Sequence, residues 1–151
     1  MKPKFVYHGS AKKIIGEKLI PKKAKDLAQT VDNSQTGVYA SEFKDESIAM
    51  GILKNKGVKG SSIDRGRHNG MPTMDAVIYH GFPKQNYFYL YTLPSENFVN
   101  RPKGSLQWIS TKPVKPEKVE KLSVKDYLHL IRRATKKEIG DWDKNYNNKK
   151  K

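Results

Sequence analysis

The chain has 151 residues, 36% of them apolar and 30% charged; this fits one globular domain and excludes a disordered chain. It has no cysteine, which excludes a disulfide framework, thiolate metal sites and a cysteine nucleophile, and no apolar run approaches the roughly 20 residues that cross a bilayer. Thirty lysines and arginines against 15 acidic residues give a formal net charge of +15, which attracts polyanions by steering and counterion release.

Taken in chain order, Phe5-Val6-Tyr7-His8 is a β-prone run closed by Gly9-Ser10 and predicts a first strand. Residues 16–20 read as a second short extended piece closed by Pro21. Residues 22–36 read as a polar loop, with one helical turn around residues 24–28 and a turn at Asp32-Asn33-Ser34. Gly37 to Ser41 is the next strand. Ile48, Ile52 and Leu53 sit at helical spacing and predict a helix over residues 45–53, capped by Asp45 and ended by Gly57 and Gly60. Residues 60–72 are poor in apolar side chains and predict a long mobile loop. Residues 76–79 and 87–91 are strand runs joined as a hairpin or tight meander. Residues 106–110 form another strand and residues 119–122 the last. Ser123, with Asp126 three residues on, opens a terminal helix whose apolar stripe is Leu128, Ile131 and Ile139. Residues 1–140 then form a single domain, followed by a basic polar tail over 141–151 that frays. Strands in neighbouring runs, rather than alternating with helices, favour the α+β class.

The chemistry concentrates in two blocks. In His8-Gly9-Ser10, a glycine beside a histidine lets a ligand approach the backbone, because glycine has no Cβ. Its N–H and C=O can pair with a flat amide while the histidine bonds a hydroxyl. Gly37-Val38-Tyr39 is the second block, and Ser47 lies eight residues beyond Tyr39. Together, Tyr7-His8-Gly9-Ser10, Gly37-Val38-Tyr39 and Ser47 with Ala49 resemble the poly(ADP-ribose) polymerase and diphtheria-toxin branch of the ADP-ribosyltransferases. The resemblance covers roughly the first third of the chain by motif and the remainder by strand order.

That resemblance implies an ADP-ribosyltransferase-like pair of split antiparallel sheets, with NAD in the cleft between them and helices at the edges. It implies that His8 bonds the nicotinamide-side ribose and that the backbone of Gly9, beside Ser10, holds the carboxamide. Tyr39 would stack on the nicotinamide ring, and Ser47 would donate to the carboxamide oxygen. A stacking face contributes on the order of 1 kcal/mol beyond burial, and a few fixed polar groups in an apolar pocket set orientation. The family's third signature is a Glu at the start of a late strand, and here Gln107 takes that position. Glu96, in a loop after Pro94, is the nearest acidic alternative. Gln bonds a hydroxyl but brings no charge to a developing cation. Met50 stands where many members have a second stacking tyrosine. Members lacking the Glu are restricted to single-unit transfer or are inactive. The resemblance therefore implies mono-ADP-ribosyl transfer from NAD, a glycosyltransferase reaction, with His8, Tyr39 and Gln107 as the catalytic set.

Plainer accounts stand beside each residue. Tyr39 can be core, and Ser47 can satisfy its own helix turn. Arg65, Arg67 and His68, in the expected loop, can meet a phosphate, gate the site or simply be solvated. His80-Gly81 echoes His8-Gly9 without a repeat around it, and His129 is expected to be exposed. The four histidines lack metal-ligand spacing, and there is no Gly-x-Ser-x-Gly elbow. Trp108 reads as a core anchor. Other functions stay open: a non-enzymatic, basic nucleic-acid-binding module, a degenerate fold that binds NAD or ADP-ribose without reacting, and an RNA 2′-phosphotransferase on a similar scaffold. The expected partners are NAD and a nucleic-acid or protein acceptor, with no membrane. The first ten residues lack an apolar signal region, and the expected location is cytoplasmic.

Overall fold

The run Phe5–Ser10 forms β1 and buries Val6 in the core. A computed structural model describes residues 2–14, 16–23 and 36–150. After β1 come β2 (Lys22–Lys23), β3 (Thr36–Ser41), α1 (Lys44–Leu53), β4 (Val58–His68), β5 (Met71–Gly81), β6 (Tyr87–Pro94), β7 (Val99–Asn100), β8 (Gln107–Ser110) and β9 (Lys118–Ser123). A 3-10 helix (Val124–Leu130), β10 (Ile131–Arg133) and α2 (Lys136–Lys150) complete the order. One sheet has seven strands in the order β7-β8-β3-β1-β6-β9, with β2 beside β3; the other has three, β10-β5-β4. Among the described residues, all pairings are antiparallel except that of β10 with β5. The protein is thus a mixed α+β fold, mostly antiparallel, as its strand pattern predicts.

Helix α1 explains how the two sheets meet. Ile48 and Ile52 pack with Phe88 and Leu90 on one face of the large sheet. Ala49 and Leu53, one position further round the helix, pack with Ala76 and Ile78 of the small sheet. Two apolar stripes on one helix require two partners, and seven of the ten residues of α1 are buried accordingly. The other face of the large sheet holds Val6, Val38, Ala40, Leu93 and Trp108, so Trp108 is the core anchor expected of it. Each such aliphatic or aromatic side chain contributes about 1.5–3 kcal/mol by leaving water. No helix among the described residues is long and apolar enough to cross a membrane.

Several expectations are corrected. Residues 60–72 are not a loop but the arms of the β4–β5 hairpin. Asn69 (φ 50°) and Gly70 (φ 79°) make its two-residue turn, the Asn-Gly pair that suits strand twist. Close to the turn the arms are mostly exposed, so ladder hydrogen bonds rather than apolar alternation define them there. Strands β5 and β6 do not pair with each other. Their connection is tied back to the segment after α1, Phe82 N–H donating to the Gly57 carbonyl and Lys84 N–H to that of Lys56. Strand β9 is not the last, and no continuous helix starts at Ser123, whose side chain makes no cap bond. The free edge of β5 takes Ile131–Arg133 as a strand instead. The capping box falls later: Glu138 N–H donates to Thr135 Oγ1, and Thr135 N–H to Glu138 Oε1. Helix α2 then runs where a frayed tail was expected. Phe43, not Asp45, is the N-cap of α1. Residues 16–20 supply only the bridge of Leu19 to Val114. The turns expected at residues 24–28 and 32–34 lie outside the described residues.

Candidate functional site

Strands β1 and β3 share a single register pair, Tyr7 with Ser41, and then separate. The Lys4 carbonyl accepts from Ser95 N–H on the β6 side. Strand alternation therefore turns the carbonyls of Tyr7 and Gly9 toward the edge that β3 leaves. Side chains from the two ends of α1 meet them there. Ser47 Oγ donates to the Tyr7 carbonyl at 2.8 Å, and Lys54 Nζ to the Gly9 carbonyl at 3.4 Å. Gly9 is a close-approach glycine, but the approaching group is α1. A Cβ on Gly9 would lie 1.8 Å from the Ser47 carbonyl oxygen and 2.8 Å from Gly51 N.

His8 joins the two sequence blocks directly, its Nδ1 lying 2.7 Å from the Tyr39 carbonyl oxygen. A carbonyl only accepts, so Nδ1 carries the proton. Burial, then the charge of Lys54, push the His8 pKa down to about 4, against the Tyr39 bond that raises it; Lys22 lowers it further. At neutral pH the ring is therefore neutral, and Nε2 bears a lone pair able to accept from a hydroxyl. Burial and Lys22 likewise lower the pKa of Lys54.

The side chains of His8 and Tyr39 leave opposite faces of the sheet. His8 pairs in register with Tyr91, its ring 6.2 Å away, on the face of Val6. Tyr39 alternates with Ser41 and so shares the α1 face with Tyr7 and Gln107. Ser10 is used in a turn, its hydroxyl donating to the Lys12 carbonyl.

Gln107 is buried within a polar chain that sequence reasoning missed. Ser41 Oγ donates to Glu46 Oε1 at 2.6 Å, Arg65 Nη1 donates to Glu46 Oε2 at 2.5 Å, and Arg65 Nη2 donates to Gln107 Oε1 at 2.8 Å. Gln107 Nε2 then donates to the Arg101 carbonyl at 3.0 Å. Glu46 is 2% exposed at its side chain and Arg65 30%. Arg67 pairs with Glu42, so both arginines expected in a mobile loop are turned inward to carboxylates. Glu96 is exposed in the turn before β7, and His129 is exposed on the 3-10 helix. His80 pairs with Asp143 of α2.

No protein-family model, curated protein or solved structure matches the chain.

Proposed function

We propose that this chain is an ADP-ribosyltransferase-like protein that binds NAD where β1 and β3 diverge and transfers ADP-ribose to an acceptor, releasing nicotinamide. The observation that carries this reading is the bond from His8 Nδ1 to the Tyr39 carbonyl. It links the two motif blocks and fixes the tautomer whose Nε2 accepts a ribose hydroxyl. The split-sheet fold belongs to the same proposal, with α1 wedged between the sheets as the support of the cofactor cleft. Tyr39 enters this reading through its carbonyl, which holds the His8 ring, while its own ring lies on the opposite, α1 face of the sheet. The carboxamide takes the Gly9 backbone by displacing Lys54 Nζ, whose bond is long and whose ammonium is disfavoured by burial. Ser47 supports the same carbonyl edge from Tyr7. A cytoplasmic location goes with this reading.

In the transfer, the bond from ribose to nicotinamide breaks with its electron pair leaving on nicotinamide, and the acceptor's lone pair adds to the ribose carbon. Charge develops on the sugar, and Gln107, held by Arg65 and the Arg101 carbonyl, brings no negative charge to neutralise it. Slow single-unit transfer follows. One observation favours a binding-only version: Arg65 brings a positive group to Gln107 at 2.8 Å. Incubating the protein with NAD and following nicotinamide release separates the two. Transfer predicts release that is lost in His8→Ala and raised in Gln107→Glu, whose carboxylate would accept from Arg65. NAD affinity without release selects the binding-only version. NAD affinity unchanged in His8→Ala would place the cofactor elsewhere.

A further inference from the structure

Lysines and aromatic residues that lie apart in the sequence come together at the β6–β9 edge of the large sheet. Tyr87, Tyr89 and Tyr91 alternate along β6 and share one face. On β9, Lys121 lies opposite Tyr89 and Val119 opposite Tyr91. Tyr87 is 38% and Val119 43% exposed, so this face is open and partly apolar. The Tyr87 and Tyr89 rings meet edge to face at 5.9 Å, and Lys121 Nζ stands 4.1 Å from the Tyr87 ring centre. Beside Tyr91 the surface drops into an open cavity of about 270 Å³. Lys13, Lys18 and Lys115 line it against one carboxylate, Glu17. The Tyr91 hydroxyl accepts from Ile14 N–H at 2.7 Å and keeps its own proton to donate.

We infer that this face binds single-stranded nucleic acid, with bases stacking on Tyr87 and Tyr89 and phosphates held by Lys121 and the cavity lysines. The combination selects the partner. Four lysines against one carboxylate favour a polyanion, in keeping with the net charge of +15. Exposed rings beside those lysines favour a polyanion that carries flat faces. A duplex keeps its bases stacked inside and offers the tyrosines nothing. The cavity is small for a whole nucleotide chain but suits one phosphate group at its mouth. The inference does not rest on the cofactor reading, because binding here needs no NAD.

The test is fluorescence anisotropy with labelled thymidine and uridine oligomers of about 12 nucleotides, a span within one binding site of this kind, and a duplex of equal length. The expected result is tighter binding of either single strand than of the duplex, weakening as salt rises. Tyr87→Ala should weaken single-strand binding about tenfold, the order of one lost stacking contact, while Tyr87→Phe retains it. The double variant Lys13→Ala, Lys115→Ala should flatten the salt dependence by about one unit of slope. Because Tyr87 lies at the surface, thermal unfolding of Tyr87→Ala should match the parent. Duplex binding as tight as single-strand binding, or full affinity in a folded Tyr87→Ala, would overturn the inference.

Discussion

The two sheets are held by different forces. The large sheet is apolar on both faces, packed by Val6, Val38, Leu93 and Trp108 on one side and by Phe88, Leu90, Ile48 and Ile52 on the other. The small sheet meets the core through Ala76 and Ile78, and much of its remaining support is directional. Arg65 and Arg67 pair with Glu46 and Glu42, Tyr79 stacks on Trp142, and Arg132 bridges Asp75 and Glu138. Apolar burial is non-directional and sets how stable a region is. Charged and stacked pairs say where an element sits. The hairpin arm is therefore positioned beside Gln107 by a few specific contacts, while the sheet carrying His8 and Tyr39 is stabilised by bulk burial.

That contrast can be broken experimentally. Phe88→Ala should be the most damaging change, costing about 3–5 kcal/mol in urea denaturation, because it empties the face between the large sheet and α1. Arg65→Ala should cost about 3 kcal/mol by leaving Glu46 buried and unpaired, and the double variant Arg65→Met, Glu46→Leu should recover most of it. If the double variant loses as much as the single, apolar packing rather than ion pairing decides that site as well. Trp142→Ala should remove about 1 kcal/mol of stacking with Tyr79, seen as a fall of roughly 2–4 °C in melting temperature. A larger loss would mean that α2 belongs to the core of the small sheet.

The gentlest test is a titration of the polar exception in the large sheet. The folded pKa of His8 is about 4 against an ordinary value of 6.5. Between those values the unfolded chain holds more protons, so stability falls as pH is lowered through this window. The contribution is complete above about 6.5 and gone below about 4. His8→Gln should flatten the profile in that range. A profile left unchanged by the substitution would show that the fold does not hold this ring neutral.

Much of the large sheet was legible in the sequence, because β1, β3, β6, β8, β9 and α1 carry apolar runs of the right period. The small sheet was not. Its hairpin arms around Gly66 carry only scattered apolar residues, Ile63, Met71 and Met74, and the informative signal was the pair Asn69-Gly70, which turn chemistry reads and hydrophobicity does not. Ile131-Arg132-Arg133 becomes a strand only because β5 has a free edge, which no local pattern announces. For the candidate site, Gln107 was legible as a residue of a late strand, and Gly9 as a position that tolerates no side chain. The sequence could not tell that α1 packs against the Gly9 Cα and that Lys54 reaches its carbonyl. Nor could it show the chain from Ser41 through Glu46 and Arg65 to Gln107: a glutamate in a helix carries no mark of burial, and Arg65 reaches it only once the hairpin is built.

Strand β1 comes early in the chain, yet its long ladder is with β6: Phe5 pairs with Pro94, and Ser10 with Tyr89. Strand β10 likewise returns to β5 after β6 and β9 have joined the other sheet. Pairings this distant must close long loops before any contact rewards them, and topologies dominated by them fold on the millisecond-to-second scale. During that interval the strand bearing His8 lacks its main partner, with backbone donors and acceptors exposed to other chains. The same ladder that makes β1 rigid thus makes newly synthesised protein prone to association until residues 87–94 arrive.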